Sequence, residues 1–122
     1  MTRPEAGTVL VVDDDEDVRQ ALGDVVGLTG RRAVTAEHGL AALAALASVR
    51  PCLILLDLVM PRMDGWQLLA AIRRDAALAA IPVVVVSAHA GNHLPAGANG
   101  LLRKPVDLYE LRRAMVEHCP LA

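Results

Sequence analysis

Two hydrophobic periods alternate along the chain. Thr8 to Val12 is a continuous apolar run between turn residues, the pattern of a short strand buried on both faces. Val18, Ala21, Leu22, Val25 and Val26 then recur at helical spacing and form one inward face, with Gly30 as the stop. Arg32 to Ala36 reads as a second strand and the Ala/Leu-rich stretch Gly39 to Val49 as a second helix. Pro51 ends that pattern before a third strand, Cys52 to Leu56. Asp64 is placed to cap a helix running to about Arg74, with Leu68, Leu69 and Ile72 inward. Pro82 introduces the β-prone run Val83 to Val86, and Leu101 and Leu102 mark a fifth strand. Asp107 caps a last helix, with Glu110 in a capping-box position and Leu108, Leu111 and Met115 facing the core.

Strands that alternate with helices need crossover connections. The pattern therefore predicts an α/β domain: a doubly wound, five-stranded parallel sheet covered on both faces. The fourth crossover, His89 to Asn99, carries Gly91, Pro95 and Gly97, so the fourth helix should be shortened or irregular. No repeat or linker divides the chain, and residues 1–122 are expected to form one domain with natural termini.

Composition narrows the function classes. The chain has 122 residues, a net charge of -2 and 54% hydrophobic residues, enough for one core. Near-balanced charge argues against a nucleic-acid footprint, and nothing resembles a base-stacking platform. Its apolar runs are too short to cross a bilayer, and the first residues hold no secretory h-region, so a cytoplasmic protein is expected. Cys52 and Cys119 lack metal or redox spacing and read as thiols, buried or idle. Trp66 reads as packing, and the pairs Arg31-Arg32, Arg73-Arg74 and Arg112-Arg113 as solvated helix ends. None of the four histidines has a ligand partner at useful spacing. Of the 12 basic residues only Lys104 is a lysine.

Parallel sheets collect functional groups beyond the carboxyl ends of their strands. Here strand 1 ends in Asp13-Asp14-Asp15, strand 3 in Asp57, strand 4 in Ser87 and strand 5 in Arg103-Lys104-Pro105. Glu16 and Asp17 suit a helix N-terminus, but Asp13 and Asp14 precede the helix. Crowded carboxylates raise one another's pKa unless a cation neutralises them, and a site with few protein ligands favours Mg²⁺ over Ca²⁺. A metal, an ammonium and a hydroxyl around one carboxylate suit phosphoryl transfer onto that carboxylate.

Val9-Leu-Val-Val-Asp-Asp-Asp15, Leu55-Leu-Asp-Leu-Val-Met-Pro61, Met63-Asp-Gly65, Val86-Ser-Ala88 and Lys104-Pro105 together resemble the receiver domain of two-component response regulators. The resemblance spans nearly the whole chain and implies a flavodoxin-like sheet of order 2-1-3-4-5. It implies Asp57 as phospho-acceptor, with Asp13, Asp14, Asp57 and the Val59 carbonyl holding Mg²⁺. Ser87 would hydrogen-bond the phosphoryl group, Lys104 would pair with it, and the Lys104-Pro105 bond would be cis. The implied donor is a histidine kinase or histidine phosphotransfer protein, and the output a protein partner rather than nucleic acid or membrane.

Three positions depart from the family pattern. Leu101 stands where an aromatic switch residue is common, the Ser87–Lys104 stretch is short, and Val59 and His89 replace residues that help to orient water. Leu101 and the short stretch keep open an adaptor that acts without phosphorylation. Asp13-x-Asp15 also matches the nucleophile motif of haloacid-dehalogenase-like phosphatases, but Glu16-Asp17 stands where that motif expects Gly-Thr. A flavin-binding reading fits the fold only, because Asp13 to Asp15 would repel the phosphate.

Overall fold

The structure, a computed structural model, describes residues 7–88 and 93–121. Five strands form one parallel sheet: β1 Thr8–Val12, β2 Arg32–Ala36, β3 Leu53–Leu56, β4 Val83–Ser87 and β5 Gly100–Arg103. Their order is β2-β1-β3-β4-β5. Helices α1 Glu16–Leu28, α2 Gly39–Leu46, α3 Gly65–Arg74 and α4 Leu108–His118 cover it.

Strand period explains the two layers. Leu10 and Val12 of β1, with Ile54 and Leu56 of β3, pack with Ala42 and Leu46 of α2 and Leu68, Leu69 and Ile72 of α3. The intervening Val9, Val11, Leu53 and Leu55 point the other way, to Leu22 and Val26 of α1 and Leu111, Ala114 and Met115 of α4. The central strands β1, β3 and β4 are buried at every position, which is why they read as unbroken apolar runs.

Local chemistry starts and stops the helices. Asp15 caps α1 by accepting from Asp17 N and Val18 N, and Gly30 just past its end has φ +83°. Asp64 and Gln67 form a full capping box at α3. At α4 the Asp107 Oδ1 takes the N–H groups of Tyr109 and Glu110. At α2 the cap is His38, whose Nδ1 accepts from Ala41 N at 3.0 Å. No local sequence pattern marks that histidine as a cap.

Between β4 and β5 no helix lies among the described residues; 93–99 form bends and one turn, closed by Ala98 N to Pro95 O with Gly97 at φ +89°. Arg73 ties the described part of this connection to α3. Its guanidinium donates to the carbonyls of Gly97 (2.8 Å), Ala79 (3.0 Å) and Ile81 (2.8 Å) and to Asn99 Oδ1 (2.8 Å). The expectation for His89 lies outside the described residues.

Several expectations are corrected. Leu108 is 61% exposed, because a first-turn side chain leans toward the helix N-terminus and clears the sheet. It borders an apolar groove with Ala21 and Val25 of α1, so the buried stripe of α1 is narrower than its sequence pattern. Trp66 is half exposed at the start of α3 rather than fully packed. Arg31 is buried, not solvated: its Nε donates to Cys119 O at 2.9 Å. Cys52 and Cys119 are a disulfide, not two thiols; α4 brings their Cα atoms to 5.1 Å, inside the range a disulfide spans.

Candidate phospho-acceptor and metal site

Asp13, one residue past β1, and Asp57, one residue past β3, are carried side by side because β1 and β3 pair with Val12 opposite Leu56. The backbone confirms the alignment, with Asp57 N donating to Val12 O at 2.9 Å. Both carboxylates are buried, Asp13 at 1% and Asp57 at 5% exposure, whereas Asp14 faces solvent. Carboxylate oxygens of all three lie within 4.8 Å of one another.

Lys104 enters from the end of β5. Its Nζ lies 2.8 Å from Asp13 Oδ2 and 3.7 Å from Asp57 Oδ2. Ser87 ends β4, is buried, and its carbonyl accepts from Lys104 N at 3.3 Å, so hydroxyl and lysine leave the same corner of the sheet. The Lys104-Pro105 bond is cis. Asp13, Asp14 and Asp57 thus cluster at one edge with Lys104 against Asp13 and Asp57, Ser87 at the end of β4 and Val59 two residues past Asp57.

Charge in this cleft is unbalanced. Burial, reinforced by the neighbouring Asp13, pushes the Asp57 carboxyl up to about 6 from 3.8, although Lys104 and the Val59 N–H pull it down. Burial also disfavours a charged Lys104. Its hydrogen bond to Asp13 and the charges of Asp13, Asp57 and Asp14 outweigh that and hold the ammonium above the ordinary lysine range. One lysine against three carboxylates leaves negative charge uncompensated. The donors are all hard oxygens, and an exposed Asp14 leaves one side open to water, a set that fits a hard divalent cation such as Mg²⁺.

The loop after β3 is built to hold Asp57. Gly65 N donates to Leu58 O at 2.9 Å, and a Cβ at Gly65 would meet the Asp57 carbonyl oxygen and lie 2.6 Å from Leu58 Cα. Arg62 takes a left-handed backbone, φ +64°, in the same loop. Arg19, one turn into α1, donates from Nη1 to Asp13 O at 2.9 Å and fixes the backbone of the acidic run. Sequence reasoning missed Arg19, and no local pattern marks it. Asp15 points away from the cleft to cap α1.

Known proteins match the chain across nearly the whole of this fold. The family described as the response regulator receiver domain matches residues 9–116. The chain belongs to that family. Protein PilG of Pseudomonas aeruginosa is 33% identical over 117 residues, covering 92% of this chain and 87% of that protein. The DNA-binding transcriptional regulator NtrC of Salmonella typhimurium is 38% identical over 111 residues, but they cover only 23% of its length against 87% of this chain. Among solved structures, the chemotaxis response regulator CheY4 of Vibrio cholerae superposes with a TM-score of 0.83 at 25% identity, covering 93% of this receiver domain and 98% of that chain.

The family assignment and the flavodoxin-like architecture anticipated from the motifs hold. Receiver domains are signalling modules of two-component systems, and this one is CheY-like. No helix among the described residues is long and apolar enough to cross a membrane.

Proposed function

We propose that this receiver domain accepts a phosphoryl group on Asp57 from a phosphohistidine of a histidine kinase or histidine phosphotransfer protein, and signals by protein–protein contact in the cytoplasm. The observation that supports it most is the buried Asp57 carboxylate held between Asp13 and the Lys104 ammonium, 3.7 Å from its Oδ2. An Asp57 oxygen attacks phosphorus, the O–P bond forms as the P–N bond breaks, and the departing imidazole takes a proton from solvent. A carboxyl raised to about 6 is still mostly ionised at neutral pH and is a stronger base than an ordinary aspartate.

Lys104 balances the charge gathering on the phosphoryl oxygens, and the Ser87 hydroxyl donates a hydrogen bond to one of them. Asp13, Asp14, Asp57 and the Val59 carbonyl would hold Mg²⁺, which supplies positive charge to the transferring group when bound. The new phosphoryl charge biases the loops at this sheet edge, and a protein partner reads the change. These residues all lie within one receiver domain, placed here over residues 1–122.

The test is incubation with a small-molecule phosphodonor and Mg²⁺, read by intact mass. One phosphoryl adduct is expected, lost in Asp57→Ala. No adduct, or one that survives that substitution, rejects the reading. A phosphorylation-independent adaptor is favoured by one feature, the β4–β5 connection with Leu101 in β5 and no helix among its described residues. The phosphatase reading loses its second acid, because Asp15 is occupied as a helix cap.

A further inference from the structure

The Cys52–Cys119 disulfide sits at the end of the sheet opposite the acidic cleft. Cys52 immediately precedes β3, whereas Asp57 follows that strand. Cys119 caps the far end of α4, whose near end begins four residues after Lys104. One eleven-residue helix, about 16 Å long, therefore runs from the proposed phosphoryl site to the disulfide.

We propose that this pair is a reversible thiol–disulfide modification site, a redox latch on the C-terminal end of α4. Three observations support a latch rather than a permanent staple. First, the end of α4 keeps other ties when the sulfurs part: Arg31 Nε on Cys119 O (2.9 Å), Arg31 Nη2 on Met115 O (3.5 Å), and fully buried Leu111 and Met115. Second, the reduced state has a place for its proton, since Cys52 Sγ lies 3.2 Å from Thr8 O and a thiol there can donate to it. Third, access to the two residues is unequal: Cys119 is 0% exposed, while Cys52 is partly exposed.

The exchange follows from that asymmetry. A thiolate of a small dithiol or a cysteine-based reductase attacks Cys52 Sγ, and the Cys119 sulfur leaves and takes a proton. A second thiol then displaces Cys52 from the mixed disulfide. Two reductant thiols become one disulfide as Cys52 and Cys119 each gain a hydrogen. Disulfides in reducing compartments are mostly transient and regulatory. In that respect the proposal rests on the cytoplasmic setting proposed above.

Opening the latch loosens the last turn of α4 beside exposed Val116 while the Arg31 bonds keep it docked, and leaves Asp13, Asp57 and Lys104 untouched at the other end. Redox state and phosphorylation would then act on opposite ends of one helix.

The full chain is equilibrated with oxidised glutathione or with a dithiol reductant and followed by intact mass, hydrogen exchange and melting. The oxidised form should weigh two hydrogens less. It should exchange amides of residues 116–119 at least about tenfold more slowly, and melt on the order of 10 °C higher. Reduction should reverse all three with the fold intact, and Cys52→Ser and Cys52→Ala should match the reduced form and ignore the reagent. Two free thiols under oxidised glutathione, equal exchange in both states, or loss of the fold on reduction or in both variants each overturn the latch. No phosphodonor enters these readouts, so failure here is separate from failure at Asp57.

Discussion

Asp57→Asn should make the protein more stable, by an amount that depends on pH. The native carboxyl ionises at about 6 because it is buried beside Asp13, whereas an unfolded aspartate ionises near 3.8. Below about pH 4 both states hold the proton and Asp57 costs nothing. Between about 4 and 6 the unfolded chain releases its proton first, and above 6 the native state carries the full penalty of the buried charge. A displacement of this size is worth about 2 to 3 kcal/mol at neutral pH. Asparagine keeps the shape, removes the charge and abolishes the penalty.

Urea unfolding at constant redox state, with a chelator present to remove divalent cations, measures it. At about pH 7.5 the Asn variant should unfold roughly 1 to 2 M urea later than the parent, and near pH 4 the two should nearly coincide. A variant less stable than the parent at the higher pH would refute the reasoning, as would a gain of equal size at both. The first result would mean that Lys104, 3.7 Å away, already neutralises Asp57, and the second that the gain does not come from its charge.

Three further outcomes follow from the same geometry. Gly65→Ala should cost about 3 kcal/mol by urea unfolding, because its methyl group meets the Asp57–Leu58 backbone and no side-chain rotation relieves the overlap. Arg73→Ala should cost about 2 to 4 kcal/mol and raise hydrogen exchange at Val83 and Asn99, since it removes the hydrogen bonds that tie 97–99 to α3. Val59, 53% exposed beside Asp57, cannot orient a water, so Val59→Asn should hasten loss of the phosphoryl group; a slower loss, followed by intact mass over time, contradicts this.

Element types and the two layers were legible in the sequence where burial imposes a period. Val9 to Val12, Leu53 to Leu56 and Val83 to Val86 are apolar throughout because both sheet faces are covered. Helix caps at Asp64 and Asp107 were legible because capping is a local bond between neighbours. Glycine and proline marked the irregular β4–β5 connection for the same reason, though not what holds it.

Strand ends also brought Asp13, Asp57, Ser87 and Lys104 to notice, since Ser87 ends its strand and the other three each follow theirs directly in the chain. What tertiary structure alone decided are partnerships between distant residues. Arg31 and Arg73 looked like solvated basic pairs; each reaches backbone carbonyls that the fold, not the local sequence, sets in front of it. Cys52 and Cys119 are 67 residues apart, and only the packing of α4 against the sheet brings them to bonding distance. The order of apolar and polar residues specified the strands, helices and acidic edge, because those follow from backbone period and short-range bonds. The raised Asp57 carboxyl, the arginine clamps and the disulfide came from the tertiary structure, because burial, charge proximity and sulfur–sulfur contact exist only once the chain has closed on itself.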